Sequence, residues 1–104
     1  MVKQVIWTNR AIKDRRNILE YWIKRNKSKV YSLKLNQIFI NTIELISRCP
    51  KIGKNTNNPE IRIKIVKDYF FTYRETEVSI EIMTIWDSRQ DSGKFEKRIN
   101  VEKK

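Results

Sequence analysis

Residues 61–86 read IRIKIVKDYFFTYRETEVSIEIMTIW, and this stretch decides the fold. Its period is two. Ile61, Ile63 and Ile65 alternate with Arg62 and Lys64, as on a half-buried strand. Tyr69 to Arg74 makes a second such run and Val78 to Trp86 a third. Lys67-Asp68 fits a two-residue hairpin turn, which sets Val66 opposite Tyr69, Lys64 opposite Phe71 and Arg62 opposite Tyr73. Glu75-Thr76-Glu77 reads as a three-residue loop, which sets Arg74 opposite Val78 and Phe71 opposite Glu81. On these registers Ile63, Ile65, Phe70, Thr72, Ile80 and Ile82 share the face expected to receive helices. The other face then carries Arg62, Lys64, Tyr69, Phe71, Tyr73, Ser79, Glu81, Met83 and Ile85, and is expected to stay open.

Upstream, the period changes. Val2 to Trp7 reads as a short first strand, ended by Thr8-Asn9, either of which can cap a helix. Ala11, Ile12, Ile18, Leu19, Trp22 and Ile23 recur at helical spacing up to a helix end near Asn26. Ser28 offers the next N-cap. Tyr31, Leu35, Ile38, Phe39, Leu45 and Ile46 then line a second helix, which stops before Pro50. So short a connection predicts an antiparallel helical hairpin. Residues 50–60, PKIGKNTNNPE, read as a linker. The order is β-α-α-β-β-β, an α+β fold with the hairpin packed on one face of a mostly antiparallel sheet. The length of 104 residues predicts one domain over 1–104, with a loose polar tail over 92–104.

Composition narrows the chemistry. Lys plus Arg is 23 against 12 for Asp plus Glu, a net charge of +11, and His is absent. Residues 1–60 hold 13 cations and 4 anions, so the helical hairpin is the electropositive part. That balance points to nucleic acid, an acidic protein partner, or both, although a solvated helix face accounts for much of it. Without His, the usual general base and metal ligand are missing, and Cys49 alone cannot build a disulfide or a zinc site. Two glycines rule out dinucleotide and Walker loops, so no cofactor is expected. No apolar run is long enough to cross a bilayer. The opening MVKQVIW lacks the apolar centre of a signal peptide, and the expected location is the cytoplasm.

The mixed face of cations, rings and a carboxylate suits a single-stranded nucleic acid, whose bases stack while Arg and Lys hold phosphates. The same mixture is what ribonuclease chemistry would use without His. Glu81, Lys64 or Tyr73 would then move protons, and Arg62 and Arg89 would stabilise charge. An ordinary solvated sheet face with cross-strand Arg–Tyr and Lys–Glu pairs accounts for the same residues. The candidate set for chemistry is Arg62, Tyr73, Glu81 and Arg89. The candidate set for binding a nucleic acid or target is Lys51, Lys54, Lys64, Tyr69 and Phe71.

Several strings, in order and spacing, resemble toxins of the RelE/ParE superfamily, the toxic half of type II toxin–antitoxin pairs. The opening strand and first helix carry Trp7, Thr8, Ala11, Asp14, Ile18 and Tyr21. A P-x-x-G follows the second helix at Pro50 to Gly53, Arg62 opens the next strand, and YFFTYR spans Tyr69 to Arg74. IWDSRQD, from Ile85 to Asp91, is similar to the segment closing many plasmid-stabilisation toxins. The resemblance implies a cytoplasmic growth inhibitor neutralised by an acidic cognate antitoxin. Some RNA-cleaving members close their site with a His-Tyr pair, and here there is no His. RelE-like members rely on Arg, Lys and Tyr, of which Arg62 and Arg89 match by motif while no Tyr follows Tyr73. That favours a ParE-like, gyrase-directed toxin over a RelE-like nuclease acting on mRNA at the ribosome. A plain basic nucleic-acid-binding module is the reading that needs no toxicity.

Four residues carry expectations of their own. Arg15 falls within the apolar stripe of the first helix, so it needs a partner, with Asp87 or Glu44 as candidates. Leu33 and Ile40, seven residues apart, are expected to complete the packing of the hairpin. Trp86 should anchor a strand end in a core, and Cys49 should be a small buried residue.

Overall fold

A computed structural model describes residues 3–89 of the chain, so the expectations for Val2 and for the tail over 92–104 lie outside the described residues. The chain runs β1 (Gln4–Trp7), α1 (Asn9–Asn26), α2 (Val30–Arg48), a 3-10 turn (Pro50–Ile52), β2 (Lys54–Asn55), β3 (Ile61–Val66), β4 (Tyr69–Glu75) and β5 (Ser79–Asp87). The five strands form one sheet in the order β1-β5-β4-β3-β2. β1 runs parallel to β5, and every other pairing is antiparallel. The expected order is thus present, with one addition. Lys54 and Asn55, expected as linker, form a two-residue edge strand against Ile63 and Arg62.

Helix boundaries follow local chemistry. Thr8 caps α1 by accepting from Ala11 N at 3.2 Å, and Lys27 ends it in the left-handed region at φ 51°. Ser28 Oγ accepts from Val30 N at 3.2 Å, and α2 closes at Arg48, two residues before Pro50. The two helices lie against one face of the sheet. Leu35, Phe39, Ile43 and Ile46 of α2 meet Ala11 of α1 and Phe71, Tyr73, Ile80, Ile82 and Ile85 of the sheet. Phe39 makes edge contacts with Tyr69 and Phe71 at 5.6 and 5.1 Å between ring centroids. Ile12 and Leu45, each beside the true stripe, are 49% and 40% exposed.

The β3–β4 register is the expected one, with Val66 opposite Tyr69 and Arg62 opposite Tyr73. The β4–β5 register is not. Glu75 pairs with Ile80 and Arg74 with Glu81, because the turn closes by Thr76 N to Ser79 O at 2.8 Å. The shift relative to the expected loop is three residues from Tyr73 to Glu75, which sets Tyr73 beside the core residue Ile82, and four from Tyr69 to Thr72 beyond the irregularity. An odd shift exchanges faces. Tyr69, Phe71 and Tyr73 therefore point to the helices, whereas Ile63, Ile65, Phe70 and Thr72 turn to the outer face.

An irregularity at Thr72/Tyr73 completes the exchange: Thr72 pairs with Thr84 but Tyr73 with Ile82, so Met83 is the extra residue. Thr8 holds this bulge from α1's start, its hydroxyl lying 2.8 Å from Ile82 O and 3.1 Å from Met83 O. With the bulge in place, both Ile82 and Ile85 reach the core. The outer face has its own apolar cluster of Ile61 and Trp86, with Ile63 and Phe70 against it. Trp86 is thus an anchor at a strand end, as expected, but on the outer face.

Three further expectations change. Arg15 donates to Asn36 Oδ1 from Nε at 2.9 Å and from Nη2 at 2.5 Å, and its guanidinium sits 5.2 Å from the Trp7 ring centroid. A neutral amide and a ring face satisfy it, in place of Asp87 or Glu44. Leu33 and Ile40 are 65% and 43% exposed and do not complete the hairpin, whose seam runs through Arg15–Asn36, Leu19–Ser32 and Trp22–Tyr31. Cys49 is exposed, at the non-helical junction (φ −130°, ψ 72°) between α2 and the Pro50 turn.

Candidate functional site

The exchange of faces redistributes the candidate residues. Tyr73 and Phe71 are fully buried and Tyr69 nearly so, all under the helices. The open aromatic platform expected for stacking bases is therefore the core. Glu81 lies on the outer face, where Arg74 holds it through Nε at 2.9 Å and through Nη2. It is on the opposite side of the sheet from Tyr73 and Arg62, so these groups do not converge.

Arg62 and Tyr73 do stand together, as cross-strand partners at the end of the sheet near the Pro50 turn. The Tyr73 hydroxyl donates to Pro50 O at 2.7 Å and accepts from Gly53 N at 2.8 Å. Arg62 donates to Gly53 O at 2.9 Å. Both side chains are thus engaged in pinning the P-x-x-G turn to the sheet. Burial pushes the Tyr73 phenol above its usual range, partly offset by the Gly53 N–H, so it is a neutral hydroxyl at physiological pH.

Beside them is a shallow cleft of about 340 Å³ lined by Lys51, Glu60, Arg62, Arg74 and Glu75. Glu75 binds Lys3 at 2.9 Å and Lys51 at 3.2 Å, and the hydrogen bond from Lys3 holds its carboxyl below the usual range. This bridge joins the start of β1 to the Pro50 turn, and sequence reading missed it. No spacing links Lys3 to Glu75; only the parallel β1–β5 pairing brings them together. Lys54 is exposed on the edge strand, and the side chain of Lys64, half-buried on β3, has no hydrogen bond or ion pair to any described residue.

Arg89 lies at the other end of β4. Tyr69, the neighbour of its partner Asp87, is four residues from Tyr73, about 13 Å along the strand. Arg89 grips Asp87 with Nε at 3.0 Å and Nη2 at 2.8 Å, and its guanidinium is 5.9 Å from the Trp22 ring centroid. The hydrogen bond from Arg89 holds the Asp87 carboxyl low, and Asp87 in turn pushes the Arg89 guanidinium up. Trp22 Nε1 donates to the Tyr69 hydroxyl at 2.8 Å, and burial raises the Tyr69 pKa.

These groups border a cleft of about 480 Å³ lined also by Asp14, Asn17, Ile18 and Tyr21. Asp14 Oδ2 accepts from Ile85 N at 3.1 Å, tying α1 to β5. The i, i+3, i+4, i+7 spacing of 14, 17, 18 and 21 was a readable signal for this wall.

Each perturbed group is pushed away from neutrality: the tyrosines up, the carboxylates down, the guanidinium up. A general acid–base pair works with values near the operating pH. Among the described residues, no three His, Cys, Asp or Glu side chains gather as a metal site requires. No described helix is long and apolar enough to cross a membrane.

The comparisons with known proteins agree with this architecture. A solved structure described as "Chromosomal ParDE TA system from P. aeruginosa" superposes with a TM-score of 0.71 at 17% identity, covering 83% of this chain and 96% of the other. No curated protein sequence matches the chain. The profile of the family described as "ParE toxin of type II toxin-antitoxin system, parDE" matches residues 5–92. The chain belongs to the ParE toxin family of type II toxin–antitoxin systems.

Proposed function

We propose that this toxin arrests growth by acting on DNA gyrase, without cleaving RNA, and that a cognate acidic antitoxin neutralises it in the cytoplasm. The observation that carries the reading is the dispersal of the candidate groups. Tyr73 is buried against the Pro50 turn, Glu81 is on the opposite face, and Arg89 is at the far end of β4. Phosphodiester cleavage needs a base, an acid and a cation around one phosphate. The described residues offer cations there without the proton-transfer pair. A target bound through surface complementarity has no such requirement. The net charge of +11 also suits an acidic partner that masks the surface.

The test is the order of events after induction. Expression of the chain alone is expected to stop growth, with filamentation and DNA damage while translation continues. Coexpression of the neighbouring antitoxin gene should restore growth. Translation stopping first, with codon-positioned cuts in ribosome-bound message, would replace this reading with a RelE-like nuclease.

A further inference from the structure

The tip of the helical hairpin concentrates cations in a way the fold does not require. Lys24 and Arg25 close α1, Lys27 and Lys29 flank the turn, and Lys34 stands one turn into α2. All five are exposed, and residues 24–34 include no Asp or Glu. None of the five forms an ion pair with a described residue. Elsewhere Lys3, Arg48, Lys51, Arg74 and Arg89 each have a carboxylate, and Asp14 and Glu20 stand among the cations earlier in α1. The nearest acid along α2, Glu44, pairs with Arg48 and is far from the tip.

Helix electrostatics separates the five. Lys24 and Arg25 lie at the C-terminal end of α1, where cations complement the macrodipole and need no other explanation. Lys27, the C-cap of α1, belongs with them, whereas Lys29 is the N-cap of α2, where the dipole is positive and acidic residues are the stabilising choice, and Lys34 follows just past the first turn. The first turn of α2 has none. Lys27 also occupies the left-handed region at φ 51°, a position glycine fills without strain. The left-handed Lys27 and the N-cap Lys29 are thus two unfavourable local choices in neighbouring positions, and both add positive charge to the surface.

We infer that this tip is a docking surface for the phosphate backbone of double-stranded nucleic acid, bound without reading bases. Phosphates supply the anions the start of α2 lacks. Four of the five cations are Lys, which meets phosphate as a mobile point charge, whereas carboxylate recognition favours the bidentate fork of Arg. A membrane surface would need a broad apolar face, and only Val30 and Leu33 stand out there, since Tyr31 packs on Trp22. The inference goes beyond the gyrase reading and does not depend on it.

The test is fluorescence anisotropy of a labelled 24-base-pair DNA duplex titrated with the full chain at several salt concentrations. The triple variant K27Q/K29Q/K34Q is expected to bind at least tenfold more weakly in low salt. Its log–log salt slope should be shallower by up to about 2.7, or ~0.9 for each phosphate no longer neutralised. The variant R10Q/K13Q/R16Q has the same net charge and should stay within threefold of wild type. K29Q singly should melt no lower than wild type, because it removes a cation from a positive helix end. K29Q and K34Q singly should each reduce the slope by about 0.9. Equal losses in the two triples would reduce the effect to net charge and overturn the proposal. So would undiminished binding by the tip triple. Tip-dependent binding to phosphatidylserine vesicles or polyglutamate, equal to or tighter than to the duplex, would overturn it in favour of a membrane or an acidic protein.

Discussion

The Tyr73 hydroxyl sits 2.8 Å from the Gly53 nitrogen, so close that a Cβ on Gly53 would lie 2.5 Å from that oxygen and 3.0 Å from Arg62 Cβ. Gly53 has φ −72° and ψ 155°, an ordinary extended conformation. What the position demands is space.

Gly53→Ala is therefore expected to destabilise the fold by about 1–3 kcal/mol through overpacking. Tyr73→Phe should cost a similar ~1–3 kcal/mol, because it strands the buried Gly53 N–H and the Pro50 carbonyl. Thermal unfolding followed by circular dichroism checks both. An unchanged melting temperature in either variant would show that the close approach of Tyr73 to Gly53 carries no stability.

Thr72 and Thr84 face each other across β4 and β5 with hydroxyls 2.7 Å apart, both fully buried. Replacing one by Val leaves the other hydroxyl without its partner, at a cost of roughly 1–2 kcal/mol. Replacing both removes the unpaired group, so the double variant should be more stable than the sum of the singles. A double-mutant cycle by urea unfolding measures this. Strict additivity would show that the pair is not coupled.

The Glu75 carboxyl is held low by Lys3 and Lys51. A depressed folded-state pKa means that the unfolded chain binds the proton more tightly. The stability from this bridge is then present above the ordinary carboxylate range near pH 4 and lost as pH falls through the folded value. Glu75→Gln should be less stable than wild type at pH 6, and the difference should shrink as the pH is lowered to 3. Urea midpoints at the two pH values decide. A difference that does not shrink on acidification would place the effect elsewhere.

Arg62 and Arg89 should respond differently. Arg62 holds the Gly53 carbonyl from a half-buried position, so Arg62→Ala is expected to lower melting temperature and growth inhibition together. The Arg89 side chain is 53% exposed in its pair with Asp87, and loss of such a pair costs about 0–1 kcal/mol. Arg89→Ala is expected to keep its melting temperature and lose growth inhibition. A fully toxic Arg89→Ala would exclude that side chain from target binding.

The elements were legible because each rests on local chemistry. Thr8 caps, Lys67-Asp68 turns, Pro50 stops, and the apolar periods switch from helical to alternating where the structure does. The faces of β4 were not legible. They depend on how Thr76–Ser79 closes and on the bulge at Met83, which Thr8 holds from the far end of the chain. YFFTYR puts Tyr69, Phe71 and Tyr73 on one side and Phe70 with Thr72 on the other, and rings with hydroxyls on the first side read as readily as an open face as a core. The candidate site inherited the wrong face: Tyr69, Phe71 and Tyr73 lie in the core, whereas Glu81, expected beside them, is on the outer face. The Lys3–Glu75 bridge and the Arg15–Asn36 bond join residues distant in sequence, and no single-chain periodicity contains them.

A gyrase-directed toxin without RNA chemistry is tested most directly by the supercoiling of relaxed plasmid by purified gyrase, with and without this protein. Supercoiling is expected to fall as toxin is added and to be restored by the cognate antitoxin. Full supercoiling in the presence of a folded preparation that stops growth in cells would contradict gyrase as the target.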